Sequence, residues 1–310
     1  MIYTLTLNPS IDYYISLDTL LIGGLNRADA ESVRAGGKGI NVSLMLKKLG
    51  VESIALGFTG GFTGEEIRRQ VRDEGIKEEF IDVPGQCSRI NMKVMSGSET
   101  QINGRGITVS EADITRLYGK LDSLIPDDIL IMSGAPCRGL DENVYADIID
   151  RLSSKGVKLI LDTTGASLKK AAAKGPFLVK PNVDELMELY RDEITADRMK
   201  AVNEGADIRQ MIGIRREDII RYAGKLRATG ARNVLVSMGA DGAILVADDG
   251  NVYEEPVPSM EEPHVSSTIG AGDSLVAGFT AEYFCGNGNY GESLKKGVYA
   301  GTLTATGRGI

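Results

Sequence analysis

Hydrophobic positions recur along this chain in two rhythms. The opening Ile2 to Leu7 alternates Tyr3, Leu5 and Leu7 with threonines and stops at Asn8-Pro9, the pattern of a strand that runs into a turn. Four later runs, Ile129 to Met132, Leu159 to Leu161, Phe177 to Val179 and Val234 to Val236, are apolar without alternation, as strands buried on both faces of a parallel sheet must be. Between them, apolar residues fall at helical spacing and each series closes at a glycine. These series are Val42, Met45, Leu46 and Leu49 before Gly50; Val144, Ile148, Ile149 and Leu152 before Gly156; and Ile219 to Leu226 before Gly230. Strand and helix alternate, which predicts an α/β, doubly wound, mostly parallel sheet flanked by helices, within one domain over residues 1–310.

Two stretches break that rhythm. In residues 12–35 and 87–108, short β-like pieces (Tyr13 to Leu17, Ile90 to Met95) sit among turn residues, predicting strands of a small β-sheet lid. The segment Asp192 to Arg216 is charged and poor in apolar residues, as expected of a surface excursion with a short helix.

Charge narrows the partners. Lys and Arg total 35 against 43 Asp and Glu, a formal net charge of -8, which disfavours nucleic acid or an anionic membrane as a general partner. An anionic ligand therefore needs a local basic cluster. No segment approaches the ~18 apolar residues of a membrane span and the start lacks a leader pattern, so a cytoplasmic protein is expected. Cys87, Cys137 and Cys285 form no CxxC pair, and His264 is the single histidine, which excludes His-His metal sites. Acid or base work near neutral pH falls to carboxylates or lysines.

The sharpest chemical feature is Thr268-Ile269-Gly270-Ala271-Gly272-Asp273-Ser274, followed at once by a helix-compatible run. Glycines at a helix start let an anion approach the backbone N–H groups at the positive end of the helix dipole. Asp273 would lie in the first turn, where it could accept a proton from an attacking hydroxyl or simply stabilise its own helix. Gly36-Gly37-Lys38-Gly39-Ile40-Asn41 is a second glycine-rich helix entrance, either a ligand loop with one cation and one amide or a tight turn. Neither motif is a Walker or Rossmann loop: Lys38 is followed by Gly39, and Leu275 ends any GxGxxG.

Taken in order, Asn8-Pro9-Ser10-Ile11-Asp12, Gly36 to Asn41, Lys180-Pro181-Asn182 with Glu185, Ser237 to Gly242, and Gly270 to Asp273 resemble the motifs of the PfkB (ribokinase-like) carbohydrate kinases over nearly the whole chain. The resemblance implies ATP-dependent phosphorylation with Asp273 as base and Gly270, Ala271 and Gly272 as the anion hole. It implies sugar contacts from Asp12, Gly36, Gly37, Lys38 and Asn41, and nucleotide contacts from Lys180, Asn182, Ser237, Gly239, Gly242, Thr268, Gly270 and Gly272. It further implies Mg²⁺ organised through water by Asn182 and Glu185, as suits an ion that sheds its hydration shell reluctantly.

Ser88-Arg89-Ile90-Asn91 resembles the arginine-bearing segment of the phosphosugar branch, where a guanidinium grips a phosphate with two hydrogen bonds; Asn91 joins it as a sugar contact. Arg27 resembles the lid residue that reaches the partner subunit's substrate, which implies a homodimer clasped through its lids. Asn103-Gly104-Arg105-Gly106 is either part of that cluster or a solvated loop. Ser133-Gly134-Ala135-Pro136-Cys137 departs from the family's SGSxP, leaving Ser133 as a sugar contact, and the chain stops at Gly307 to Ile310 where relatives continue into another helix. The acceptor expected is a ketose phosphate, fructose 1-phosphate before tagatose 6-phosphate or fructose 6-phosphate. A non-catalytic sugar-phosphate sensor is the competing class, though a sensor has no need of Asp273.

Overall fold

The computed structural model describes residues 1–203, 213–259 and 267–310. His264 and residues 204–212 of the charged excursion lie outside the described residues. The chain divides into two compact units, residues 1–144 with 154–157 and residues 145–153 with 158–310.

The first unit runs β1 (Ile2–Thr6), β2 (Ser10–Ser16), β3 (Ala30–Gly36), α1 (Lys38–Lys48), β4 (Ser53–Thr59), α2 (Gly61–Asp73), β5 (Lys77–Glu78), β6 (Ile81–Asp82), β7 (Arg89–Ser96), β8 (Ser98–Asn103), α3 (Glu111–Leu121) and β9 (Ile129–Ser133). β1 lies between β4 and β9, parallel to both, and β5 and β6 extend β4 in parallel. The unalternating apolar run of β9 has every residue buried, as predicted for a strand covered on both faces. The expected small sheet forms separately, in the order β3-β2-β7-β8.

Strand periodicity divides that small sheet into two unlike faces. Pairing β2 with β7 sets Ser10 beside Arg89, Asp12 beside Asn91 and Tyr14 beside Lys93 on one polar face. On the other face, Ile11 joins a buried cluster with Ile40, Ala55, Ile67, Val71, Ile76 and Phe80, which ties the sheet to α1 and α2. Further along that face Val33, Ile90, Met92 and Ile102 are exposed. Asp12, which could have been a turn residue after Pro9, is therefore a strand residue with a fixed facing.

The second unit begins in α4 (Val144–Leu152) and runs β10 (Lys158–Asp162), α5 (Gly165–Ala172), β11 (Leu178–Val179), α6 (Val183–Leu189), α7 (Arg191–Asn203), α8 (Arg216–Ala228), β12 (Asn233–Ser237), β13 (Ala243–Val246), β14 (Val252–Glu255), α9 (Ala271–Cys285) and α10 (Tyr290–Ala305). β10, β11 and β12 are parallel, while β13 and β14 follow antiparallel. Helix α7 occupies the first part of the charged excursion, up to Asn203.

α9 is buried continuously from Asp273 to Ala281, so it is a core helix rather than an amphipathic one. It crosses α10 at glycines: a Cβ on Gly278 would come within 2.6 Å of the Lys296 carbonyl oxygen, and one on Gly297 within 2.8 Å of that of Leu275. A buried hydrogen bond of 2.7 Å between the Ser274 and Thr304 hydroxyls locks the same crossing. No helix among the described residues is long and apolar enough to cross a membrane.

Candidate active site

In the first unit, the polar face of the small sheet gathers around Asp12. Its Oδ1 accepts hydrogen bonds from Ser10 Oγ at 2.7 Å and Asn91 Nδ2 at 2.9 Å, and its Oδ2 pairs with Lys93 Nζ at 2.8 Å. Lys93 also donates to the Tyr14 hydroxyl at 3.1 Å. Burial pulls the Lys93 ammonium down, but the Asp12 carboxylate and Tyr14 outweigh it and leave the pKa raised, so Lys93 stays cationic. Half-buried Arg89 donates from Nε to the Asn8 carbonyl at 3.1 Å. Desolvation draws its pKa below the ordinary arginine value against the opposing pull of Asp12, and a guanidinium keeps its charge in proteins.

The glycine loop packs beside this cluster for steric reasons. A Cβ on Gly36 would lie 2.6 Å from Asp12 Cγ, and one on Gly37, whose φ is +128°, 2.6 Å from Thr6 Cγ2. Thr6 Oγ1 accepts the Ile40 N–H at 3.1 Å and so satisfies the first turn of α1, the turn that carries Lys38 and Asn41. Lys38 Cβ lies 3.9 Å from where a Gly134 Cβ would sit, which brings it next to Ser133 at the end of β9.

Three buried acceptors here, Asn8 Oδ1, Asn91 Oδ1 and Ser133 Oγ, have no hydrogen-bond partner among the described residues. Buried polar atoms are rarely left this way, and sugar hydroxyls are the kind of donor that would satisfy them. Arg27 stands apart, exposed in the connection from β2 to β3, and the Arg105 side chain is also exposed, with only its carbonyl engaged by Asn8.

In the second unit, the candidates collect at the carboxyl ends of parallel strands, the edge where open α/β sheets bind ligands. Lys180, at the end of β11, forms an ion pair of 3.2 Å with Asp162 at the end of β10, with side-chain exposures of 4% and 0%. The Lys180 ammonium is 3.4 Å from the position of a Cβ on Gly272, so a buried cation stands against the start of α9. Gly270 caps that helix in the left-handed conformation (φ +77°), and Asp273 sits in its first turn, 5% exposed. Thr268 supports the entrance through its carbonyl, which accepts the Ala271 N–H at 3.2 Å.

Asn182 and Glu185 form a reciprocal capping box at the start of α6: Asn182 Oδ1 accepts the Glu185 N–H at 2.7 Å, and Glu185 Oε2 accepts the Asn182 N–H at 2.9 Å. Glu185 is thus more than a helix-surface glutamate. The capping bond uses Oε2, so the second carboxylate oxygen, Oε1, stands outside the box. A parallel bridge sets Asn182 beside Ser237, whose N–H donates to the Pro181 carbonyl at 3.2 Å. The turn at Gly239 to Asp241 follows, and Gly242 is required there because a Cβ would meet the Glu255 carbonyl oxygen at 2.0 Å. Among the described residues, no three His, Cys, Asp or Glu side chains converge to cage a metal. Oxygen donors shared with phosphates and water fit Mg²⁺ better than a protein cage does.

Two charged residues escape the sequence reading, Lys93 and Asp162. Both left a signal. Arg89, Asn91 and Lys93 follow one another at the two-residue spacing of a strand face, and Asp162 ends an apolar strand that the reading closes one residue early.

The sequence matches the pattern described as pfkB family carbohydrate kinase over residues 6–310. It is 41% identical over 307 residues to the 1-phosphofructokinase of Borreliella burgdorferi, covering 98% of this chain and 92% of that protein. It is 34% identical over 310 residues to the D-tagatose-1-phosphate kinase of Bacillus licheniformis, covering 100% of this chain and 94% of the relative. The crystal structure of phosphofructokinase-2 from Escherichia coli in complex with substrates and products superposes with a TM-score of 0.86 at 28% identity, covering 98% of this chain and 93% of the other.

Proposed function

The chain belongs to the pfkB family of carbohydrate kinases, and from that premise we propose that it transfers the γ-phosphoryl group of ATP to fructose 1-phosphate, giving fructose 1,6-bisphosphate. The observation that carries the chemistry is the start of α9, where buried Asp273 occupies the first turn and the Lys180 ammonium stands against Gly272. The acceptor oxygen bonds to the γ-phosphorus as the bond to the β,γ-bridging oxygen breaks. The hydroxyl proton passes to Asp273 and ADP leaves. Lys180 and the backbone N–H groups of Gly270, Ala271 and Gly272 stabilise the charge that develops on the transferring group.

Asp12, Asn91, Gly36, Gly37, Lys38, Asn41 and Ser133 hold the sugar, and Arg89 grips the phosphate it already carries. Ser237, Gly239 and Gly242 contact the nucleotide alongside Lys180, Asn182 and Thr268. Asn182 and Glu185 would hold Mg²⁺ through water, and the ion would supply charge neutralisation to the phosphates. The preference for fructose 1-phosphate is supported by the Borreliella relative, and the 1-phosphate position by both relatives.

The exposed Val33, Ile90, Met92 and Ile102 on the outer face of the small sheet, with Leu21, Ile22 and Leu25 in the β2–β3 connection, support a homodimer through the lid. Arg27 would then reach the acceptor phosphate of the other subunit. Sedimentation that gives a monomer for the intact protein would remove this arrangement.

The deciding measurement is ADP release with MgATP against fructose 1-phosphate, tagatose 1-phosphate, fructose 6-phosphate, tagatose 6-phosphate, fructose and ribose. The highest kcat/KM is expected with fructose 1-phosphate. Turnover of none of them by folded protein overturns the kinase reading, and a preference for a 6-phosphate overturns the acceptor.

A further inference from the structure

Lys93 is nearly buried, with 6% of its side chain exposed, yet it keeps its charge and places it 2.8 Å from Asp12. Burying an ion pair rarely adds stability over apolar residues of the same size, so a lysine at this place needs another reason. The geometry of the carboxylate offers one. An ionised carboxylate has about four acceptor positions. Among the described residues, both on Oδ1 are filled by Ser10 and Asn91, and Lys93 takes one on Oδ2, so a single position remains.

Two neighbouring features keep that position usable. Gly36 has no side chain where a Cβ would fall 2.7 Å from each carboxylate oxygen, so the carboxylate stays open on that side. Asn91, whose Nδ2 is spent on Ser10 and Asp12, has an Oδ1 with no partner among the described residues, a second acceptor on the same sheet face. Tyr14 completes the holding of Lys93 through its hydroxyl at 3.1 Å and its ring, whose centre is 4.9 Å from the ammonium.

We infer that Lys93 is a positioning residue of the acceptor site: it fixes the Asp12 carboxylate so that Oδ2 offers one hydrogen-bond position to one sugar hydroxyl, without itself touching the sugar. Removing the cation frees the carboxylate to rotate and to spread its acceptor positions. The loss therefore falls on acceptor recognition and leaves the nucleotide side alone. This inference rests on the reading of Asp12 as a sugar-binding residue of a kinase.

The test is steady-state kinetics with MgATP and fructose 1-phosphate for the wild type, Lys93→Met, Lys93→Arg, Asp12→Asn and the double variant Asp12→Asn/Lys93→Met. Lys93→Met is expected to raise the acceptor KM by about 10- to 100-fold, the scale of losses from small misplacements, while the KM for ATP stays within about twofold. Lys93→Arg should regain part of the loss. The double variant should be no worse for the acceptor than Asp12→Asn alone, because Lys93 then has no carboxylate to hold. It also removes both buried charges together, so it reports on the pair even where Lys93→Met folds poorly. Equal rises in both KM values, or additive losses in the double variant, overturn the positioning role. An unchanged acceptor KM in Lys93→Met with an active wild type overturns this inference alone, whereas an inactive wild type overturns it together with the kinase reading.

Discussion

Lys180 and Asp162 form an ion pair of 3.2 Å from which solvent is almost wholly excluded. The two residues come from the ends of adjacent parallel strands, and the ammonium stands 3.4 Å from the place of a Gly272 Cβ. One cation is thereby held by a carboxylate and presented to a helix start. Removing only the carboxylate would leave Lys180 charged in a buried place, at a cost of ~3–5 kcal/mol. Asp162→Ala is therefore expected to lower the melting temperature by several degrees, and adding Lys180→Met should recover most of that loss without restoring turnover. A melting temperature unchanged in Asp162→Ala would show that the pair does not govern this edge of the sheet.

Asp273 distinguishes an enzyme from a sensor built on the same fold. Asn has the shape of Asp but cannot take a proton, so Asp273→Asn should lower kcat by about 10²- to 10⁴-fold with little change in sugar binding. Rapid-quench measurement of a single turnover would isolate the chemical step. Near-normal turnover would remove Asp273 from its assigned role.

Much of the scaffold was legible because its signals are local. The strands at Ile129, Leu159 and Val234 are unbroken apolar runs, and the helices that end before Gly50, Gly156 and Gly230 carry their own stop signals. Asp12 and Asp273 also lie within short motifs. Lys93 and Asp162 were harder to see, because each acquires its meaning from a partner 81 or 18 residues away in the chain that strand pairing brings alongside. A lysine in a β-strand reads as solvated until its register sets an aspartate diagonally across from it on the same face. Glu185 illustrates the same limit: its backbone partner at Asn182 is local, but the oxygen outside the capping box is visible only when its contacts are known.

The three cysteines separate by environment. Burial, with Asp113 acting in the same direction and a backbone hydrogen bond opposing, pushes the Cys137 thiol up to about 12, while Cys87 and Cys285 are exposed. At pH 8 iodoacetamide should label two thiols in the native protein and the third only on unfolding. The folded state holds the Cys137 proton above the unfolded value of ~8.5, so this contribution to stability is full below that pH and is lost between there and about 12. Rapid native labelling of all three, followed by mass spectrometry of the peptides, would contradict the burial of Cys137.

Gly36 and Gly119 make opposite predictions for the same chemical change. A Cβ on Gly36 would press on the Asp12 carboxylate at 2.6–2.7 Å, whereas one on Gly119, within α3, meets nothing within 4 Å. Gly119→Ala should therefore stabilise the protein by ~0.5–1 kcal/mol through the backbone entropy that glycine loses on folding. Gly36→Ala should cost ~1–3 kcal/mol, the range for overpacking, and should also displace Asp12. Its kinetic mark is then a raised acceptor KM with the KM for ATP unchanged, because the displaced group serves the sugar. Measured together by thermal melting and steady-state kinetics, the two alanine variants separate crowding at the acceptor site from a general effect of removing glycine. If Gly36→Ala lost stability with no change in acceptor KM, Asp12 would be a structural carboxylate rather than a sugar ligand.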